Sequence, residues 1–126
     1  MDTATRKRIL IVEDDRDTCD LYTEVLKNAG FEAECAFDGG AGLQKATNGG
    51  YDLILLDIMM PKVDGLKFLA DFRKSPSKDK NGPVIVLTNL SPGPVVKEAL
   101  SLGAKAYLVK TDFNPDQLVE KIKSFL

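Results

Sequence analysis

Glu13-Asp14-Asp15, Asp57, Thr88 and Lys110 each stand at the end of a short apolar run in this chain. Gathered in one place, they would set several carboxylates beside one hydroxyl and one ammonium. Strands that pair in a sheet lie about 4.8 Å apart, so neighbouring runs would crowd Asp14 against Asp57. Two unit charges about 4 Å apart repel by roughly 4 kcal/mol at an effective dielectric of about 20. Lys110 supplies a single compensating charge, so a divalent cation with oxygen ligands is the natural completion. Mg²⁺ is favoured, because it takes one or two carboxylates together with water and phosphate oxygens. A carboxylate beside such a cation can attack phosphorus to give an acyl phosphate. The charge that spreads over the equatorial oxygens in transfer can be met by the cation, the Lys110 ammonium and the Thr88 hydroxyl. The chain has no histidine, which excludes a histidine base and any phosphohistidine step within it. The reaction just described needs neither.

The elements that must position these residues alternate along the chain. Ile9-Leu10-Ile11-Val12, Phe31 to Ala36, Leu53-Ile54-Leu55-Leu56, Val84 to Leu87 and Ala106 to Val109 read as strands. They are apolar and too short for helices, and the continuous runs suit strands buried on both faces of a parallel sheet. Helical patterns lie between them. The first carries Leu21, Val25, Leu26 and Ala29 as its expected apolar positions and stops at Gly30. The second opens at Asp38-Gly39-Gly40 and ends at Gly49-Gly50, the third spans about 64–74, and the fourth opens at Pro94. The last has Asn114 as N-cap, Pro115 behind it and Gln117 at the third position, a capping-box pattern, with Leu118, Ile122 and Phe125 on one face. Strands alternating with helices predict an α/β domain, a doubly wound parallel sheet of five strands with five helices. Sites in such sheets form beyond the carboxyl ends of the strands, which is where the acids, Thr88 and Lys110 fall. Asp15 is left to solvent or to capping the first helix.

At 126 residues, with 44% apolar and 29% charged residues, the chain reads as one globular domain, 1–126, with a flexible tail over 1–7 and no output domain. The net charge of −2 gives no basic field for direct nucleic-acid binding or for anionic lipid. No apolar run is long enough to span a membrane and the first residues lack the apolar stretch of a secretory signal, so a cytoplasmic location is expected. Cys19 and Cys35 have no metal-binding spacing and read as two reduced, partly buried thiols.

Four pieces, in this order, resemble the receiver domains of two-component response regulators: Ile-Leu-Ile-Val-Glu-Asp-Asp (9–15), Asp-Leu-Ile-Leu-Leu-Asp-Ile-Met-Met-Pro-Lys-Val-Asp-Gly (52–65), Val-Ile-Val-Leu-Thr (84–88) and Gly-Ala-Lys-Ala-Tyr-Leu-Val-Lys (103–110). The resemblance runs from about Arg8 to Leu126. It implies a flavodoxin-like fold with strand order 2-1-3-4-5. It implies Asp57 as phosphoacceptor, Asp14 as a direct Mg²⁺ ligand with Glu13 beside it through water, and the Met59 carbonyl as a further ligand. Thr88 becomes the switch hydroxyl, Lys110 the phosphate-binding lysine and Tyr107 the rotating switch aromatic. Read alone, Tyr107 is more often a packed sheet aromatic, and Glu13 and Asp15 are acids suited to a helix start.

The sequence departs from the family in two places. Thr111 stands where a proline usually follows the lysine, often after a cis bond. A cis bond before a non-proline residue costs about 2.5–4 kcal/mol, so either the bond is trans or strain is retained. Asn89 stands where a small residue is usual. The function expected is a stand-alone receiver, a phosphoacceptor switch that is not otherwise an enzyme. It would take its phosphoryl group from a histidine kinase or phosphotransfer protein. It would signal to a downstream target protein through the face of helix four, strand five and helix five. The alternatives are an aspartyl-phosphate phosphatase or phosphotransferase, against which Met59 stands where a second aspartate would be needed, and a phosphate-independent docking module.

Overall fold

The computed structural model describes residues 6–58, 65–74, 81–89 and 93–126. Five strands, β1 (Arg8–Val12), β2 (Glu32–Ala36), β3 (Leu53–Asp57), β4 (Val84–Thr88) and β5 (Ala106–Val109), alternate with five helices, α1 (Arg16–Asn28), α2 (Gly39–Asn48), α3 (Gly65–Lys74), α4 (Pro94–Ser101) and α5 (Pro115–Ser124). All strand pairs are parallel and the order across the sheet is β2-β1-β3-β4-β5. This is the doubly wound architecture expected, in the order that the resemblance implied.

β3 and β4 are buried along their whole length, which explains why they read as unbroken apolar runs. Alternate strand residues feed two cores. Leu10, Val12, Ile54, Leu56, Val84 and Val86 pack under α2, α3 and α4, with Ala46, Phe68 and Ala99. Ile9, Ile11, Leu53, Leu55, Ile85 and Leu87 pack under α1 and α5, with Leu26, Leu118 and Ile122. Each fully buried aliphatic side chain contributes roughly 1.5–3 kcal/mol relative to exposure. Together they hold the strand ends in fixed register.

Three helix starts are capped by side chains. Asp15 caps α1, accepting from the Thr18 N–H at 3.1 Å and also from the Thr18 hydroxyl. Asp38 caps α2, accepting from the Ala41 N–H at 2.7 Å. Asn114 and Gln117 form the reciprocal capping box on α5. After α1 the chain turns through Gly30 with φ of 96°, a left-handed conformation that costs glycine little.

Two expectations are corrected. Leu21 was placed on the apolar face of α1, but it is 45% exposed, and the residues turned inward are Cys19, Tyr22 and Leu26. At 3.6 residues per turn these three form one stripe, and Leu21 falls beside it. Cys19 and Cys35 are not two separate thiols. α1 lies against β2, and the pair is joined as a disulfide with a Cα–Cα separation of 6.2 Å, within the range such a bond spans.

Candidate functional site

β1 and β3 are neighbours with Val12 opposite Leu56, so the residues just beyond, Glu13 and Asp57, leave the sheet side by side. Asp57 pairs with Leu87, and Thr88 with Val109. Lys110 therefore starts one residue beyond the Thr88 pair. Glu13 is fixed from the other side by its own N–H, which donates to the Ala36 carbonyl at 3.0 Å. Ile58 N–H donates to the Leu87 carbonyl at 3.3 Å, extending the β3–β4 ladder past Asp57.

One carboxylate oxygen from each of Glu13, Asp14 and Asp57 lies within 4.8 Å of the others. Glu13 is 2% exposed and Asp57 7%, whereas Asp14 is open to solvent. Lys110 reaches in from the end of β5. Its Nζ donates to Glu13 Oε2 at 2.8 Å and lies 3.6 Å from Asp57 Oδ2. Glu13 Oε1 accepts from the Asp15 N–H at 3.3 Å. Both Glu13 oxygens are thus engaged within the protein, and the exposed Asp14 is the acid most open to an incoming ligand.

The electrostatics follow from this burial. Desolvation pushes the Glu13 carboxyl up to about 7, and Asp57 adds to the rise while the Lys110 bond opposes it. Burial also works against the charge on Lys110. The Glu13 hydrogen bond and the charges of Asp57 and Glu13 outweigh it, and the lysine is held above its ordinary range. Three carboxylates facing one ammonium leave an excess of hard oxygen donors. That donor set fits a divalent cation of the Mg²⁺ kind, with Asp14 and Asp57 foremost and Glu13 beside them.

The Lys110–Thr111 bond is trans. Lys110 opens a 3₁₀ turn, Lys110–Asp112, before α5, and its side chain still reaches both acids. The missing proline therefore does not misdirect the lysine. Asn89 is exposed, and Thr88 is buried, at 1% exposure. Tyr107 is half-buried and packs against the core under α2, α3 and α4, so it is not among the clustered acids. Met59 lies outside the described residues.

Tyr22 was not singled out in the sequence. Burial raises its hydroxyl above the usual tyrosine range, and it feels the charges of Lys110, Glu13 and Asp57. With Leu21, Lys110, Phe113 and Leu118 it lines a cleft of about 180 Å³ between α1 and α5. Its helical spacing from Cys19 and Leu26 was the available signal.

Comparison with known proteins agrees with this geometry. A family described as "Response regulator receiver domain" matches residues 9–123. The chain is 38% identical to the chemotaxis protein CheY of Treponema pallidum over 122 residues, covering 94% of this chain and 82% of that protein. It is 37% identical to the transcriptional regulatory protein DltR of Streptococcus agalactiae over 116 residues, 92% of this chain and 50% of that protein. The chain thus spans about half the length of several curated relatives it matches. Among solved structures, a CheY-like receiver domain protein of Methanospirillum hungatei superposes with a TM-score of 0.83 at 35% identity, covering 95% of this chain and 93% of that one. The response regulator TrrA of Thermotoga maritima, solved in complex with Mg(2+)-BeF, superposes with a TM-score of 0.79 at 37% identity, covering 95% and 99%.

Proposed function

The chain belongs to the response regulator receiver domain family, whose members are phosphoacceptor switches, and we propose that Asp57 is its phosphoacceptor. The observation that carries the proposal is the position of Asp57. It ends the central buried strand, 3.6 Å from Lys110 Nζ and within reach of Glu13 and Asp14. Its carboxylate attacks the phosphorus of the donor, an oxygen–phosphorus bond forms, and the bond from phosphorus to the donor's leaving atom breaks. The attacking carboxylate carries no proton to remove. Lys110 faces the oxygens of the arriving group, and Thr88 at the end of β4 closes over it once it is bound. Mg²⁺, held by Asp14 and Asp57 with Glu13 beside them and the Met59 carbonyl as a further ligand, would neutralise charge on the transferred group.

The donor is a histidine kinase or a phosphotransfer protein, the partners of this family. Phosphorylation favours the conformer that fits the modified Asp57 better, and the output leaves through α4, β5 and α5, with Tyr107 following Thr88. The target is a protein, and the site of action is the cytoplasm. None of the described helices is long and apolar enough to cross a membrane. The match to a chemotaxis protein covers 82% of that protein's length, the span of a receiver module alone. The 50% coverage of transcriptional regulators fits the same module used as one half of a larger protein.

The test is intact mass after incubation with acetyl phosphate and Mg²⁺. The expected result is one added phosphoryl group that requires Mg²⁺ and is absent in Asp57→Asn. No adduct would instead indicate a docking module, and sustained turnover of many phosphate donors would indicate an enzyme.

A further inference from the structure

α1 and β2 are covalently joined outside the phosphoacceptor site. Cys19 is completely buried on the inner face of α1. Cys35 is partly buried on β2, which among the described residues is an edge strand paired with β1. Cys35 is thus the less buried of the two sulfurs.

The two ends of this link flank the acidic loop. The Cys19 N–H donates to the Asp15 carbonyl at 3.0 Å, in the first turn of α1. Cys35 is followed by Ala36, whose carbonyl accepts from the Glu13 N–H at 3.0 Å. Residues 13–15 are thus held at one end by the backbone next to Cys35 and at the other by the backbone of Cys19.

The pocket around Cys35 Sγ accommodates either redox form. The Thr23 hydroxyl lies 3.1 Å away and donates to the sulfur when it carries no hydrogen. The Cys19 carbonyl lies 3.5 Å away and is placed to accept from the thiol once the bond is opened. Cys35 Sγ therefore has a hydrogen-bond partner at hand in either form.

We propose that Cys19 and Cys35 are a reversible redox modification site, and that the disulfide braces the Glu13–Asp15 loop from behind. The oxidant is a low-molecular-weight disulfide. The Cys35 thiolate, the more accessible, attacks one sulfur of that reagent and expels a thiolate. The Cys19 thiolate then attacks the Cys35 sulfur of the mixed disulfide and expels the second thiolate. The protein loses two electrons and two protons, and the reagent leaves as two thiols. In a reducing compartment such a pair acts as a switch and not as a permanent staple.

The experiment uses the whole chain treated with glutathione disulfide and then returned to dithiothreitol, read by intact mass and by thiol alkylation after denaturation. The expected outcome is loss of two hydrogens and of both alkylation sites, with full recovery on reduction. Cys19→Ser should stop at a single glutathione adduct on Cys35. Thiols that stay fully alkylatable after oxidation overturn the modification site. Amide hydrogen exchange of residues 13–19 in the oxidised and reduced wild-type protein tests the brace. Oxidation should slow it several-fold, and equal rates in the two forms overturn that part. Asp57→Asn should give the same masses, so this outcome is independent of whether Asp57 is the phosphoacceptor.

Discussion

Lys110 Nζ lies closer to Glu13 Oε2, at 2.8 Å, than to Asp57 Oδ2, at 3.6 Å. The lysine at the end of β5 is thus shared, and in the unphosphorylated protein its hydrogen bond goes to the buried acid of β1. The ends of three strands, β1, β3 and β5, contribute to this one cluster.

Replacing Lys110 by Ala should slow phosphorylation of Asp57 by acetyl phosphate about 10²-fold, the usual loss when one donor to a developing oxyanion is removed. Mg²⁺ affinity should not fall, because an acid cluster without its ammonium gains more from the cation. Single-turnover phosphorylation and calorimetric Mg²⁺ titration measure the two effects. A Lys110→Ala protein phosphorylated at the wild-type rate would contradict the assignment.

The raised Glu13 pKa makes stability depend on pH with a definite sign. The group goes from 4.5 unfolded to about 7 folded, so between those values the folded state holds the extra proton. Its contribution is complete below pH 4.5 and is lost as pH rises through about 7. Urea unfolding of the metal-free protein from pH 5 to 8 should show this decline, and Glu13→Gln should flatten it. An unchanged slope in Glu13→Gln counts against a buried, proton-retaining Glu13.

Gly65 begins α3 hard against the backbone that follows Asp57. A Cβ there would meet Ile58 Cα at 2.6 Å and the Asp57 carbonyl oxygen at 3.1 Å. Gly65→Ala should therefore cost about 1–3 kcal/mol, the range for forced overpacking. It should also lower the phosphorylation rate by displacing the segment that carries Asp57. Equal unfolding midpoints for wild type and Gly65→Ala would show that the contact yields freely.

The capping box of α5 makes two reciprocal bonds, Asn114 Oδ1 from the Gln117 N–H at 2.8 Å and Gln117 Oε1 from the Asn114 N–H at 2.9 Å. Asn114→Ala should destabilise the domain by about 1 kcal/mol, measured by urea unfolding, while leaving phosphorylation of Asp57 intact. A drop in phosphorylation comparable to that of Lys110→Ala would mean that this cap also positions the lysine turn.

The strands and helix caps were legible in the sequence because their causes are local. Asn114 and Gln117 announce a helix start by side-chain chemistry alone, and Leu53 to Leu56 can hardly be anything but a buried strand. The strand order was not legible from periodicity and came only with the family resemblance. Of the four apolar positions expected on α1, Val25 and Leu26 do face the core, but Leu21 and Ala29 are exposed, and Cys19 and Tyr22 complete the true stripe. The disulfide depends on how α1 lies across β2, which no spacing of 16 residues announces. The sharing of Lys110 was hidden for the same reason, since Glu13 and Lys110 stand 97 residues apart.

The contact of Gly65 with Ile58 also determines what kind of mechanical part α3 is. Because the two backbones meet without a side chain between them, there is no compressible layer to absorb a small displacement. A shift of the backbone beside Asp57 is passed to the start of α3 almost undiminished, as through a rigid coupling. α3 packs Phe68 and Leu69 into the same core as Tyr107. The helix thus shares one face of the sheet, and one core, with the β5 residue Tyr107.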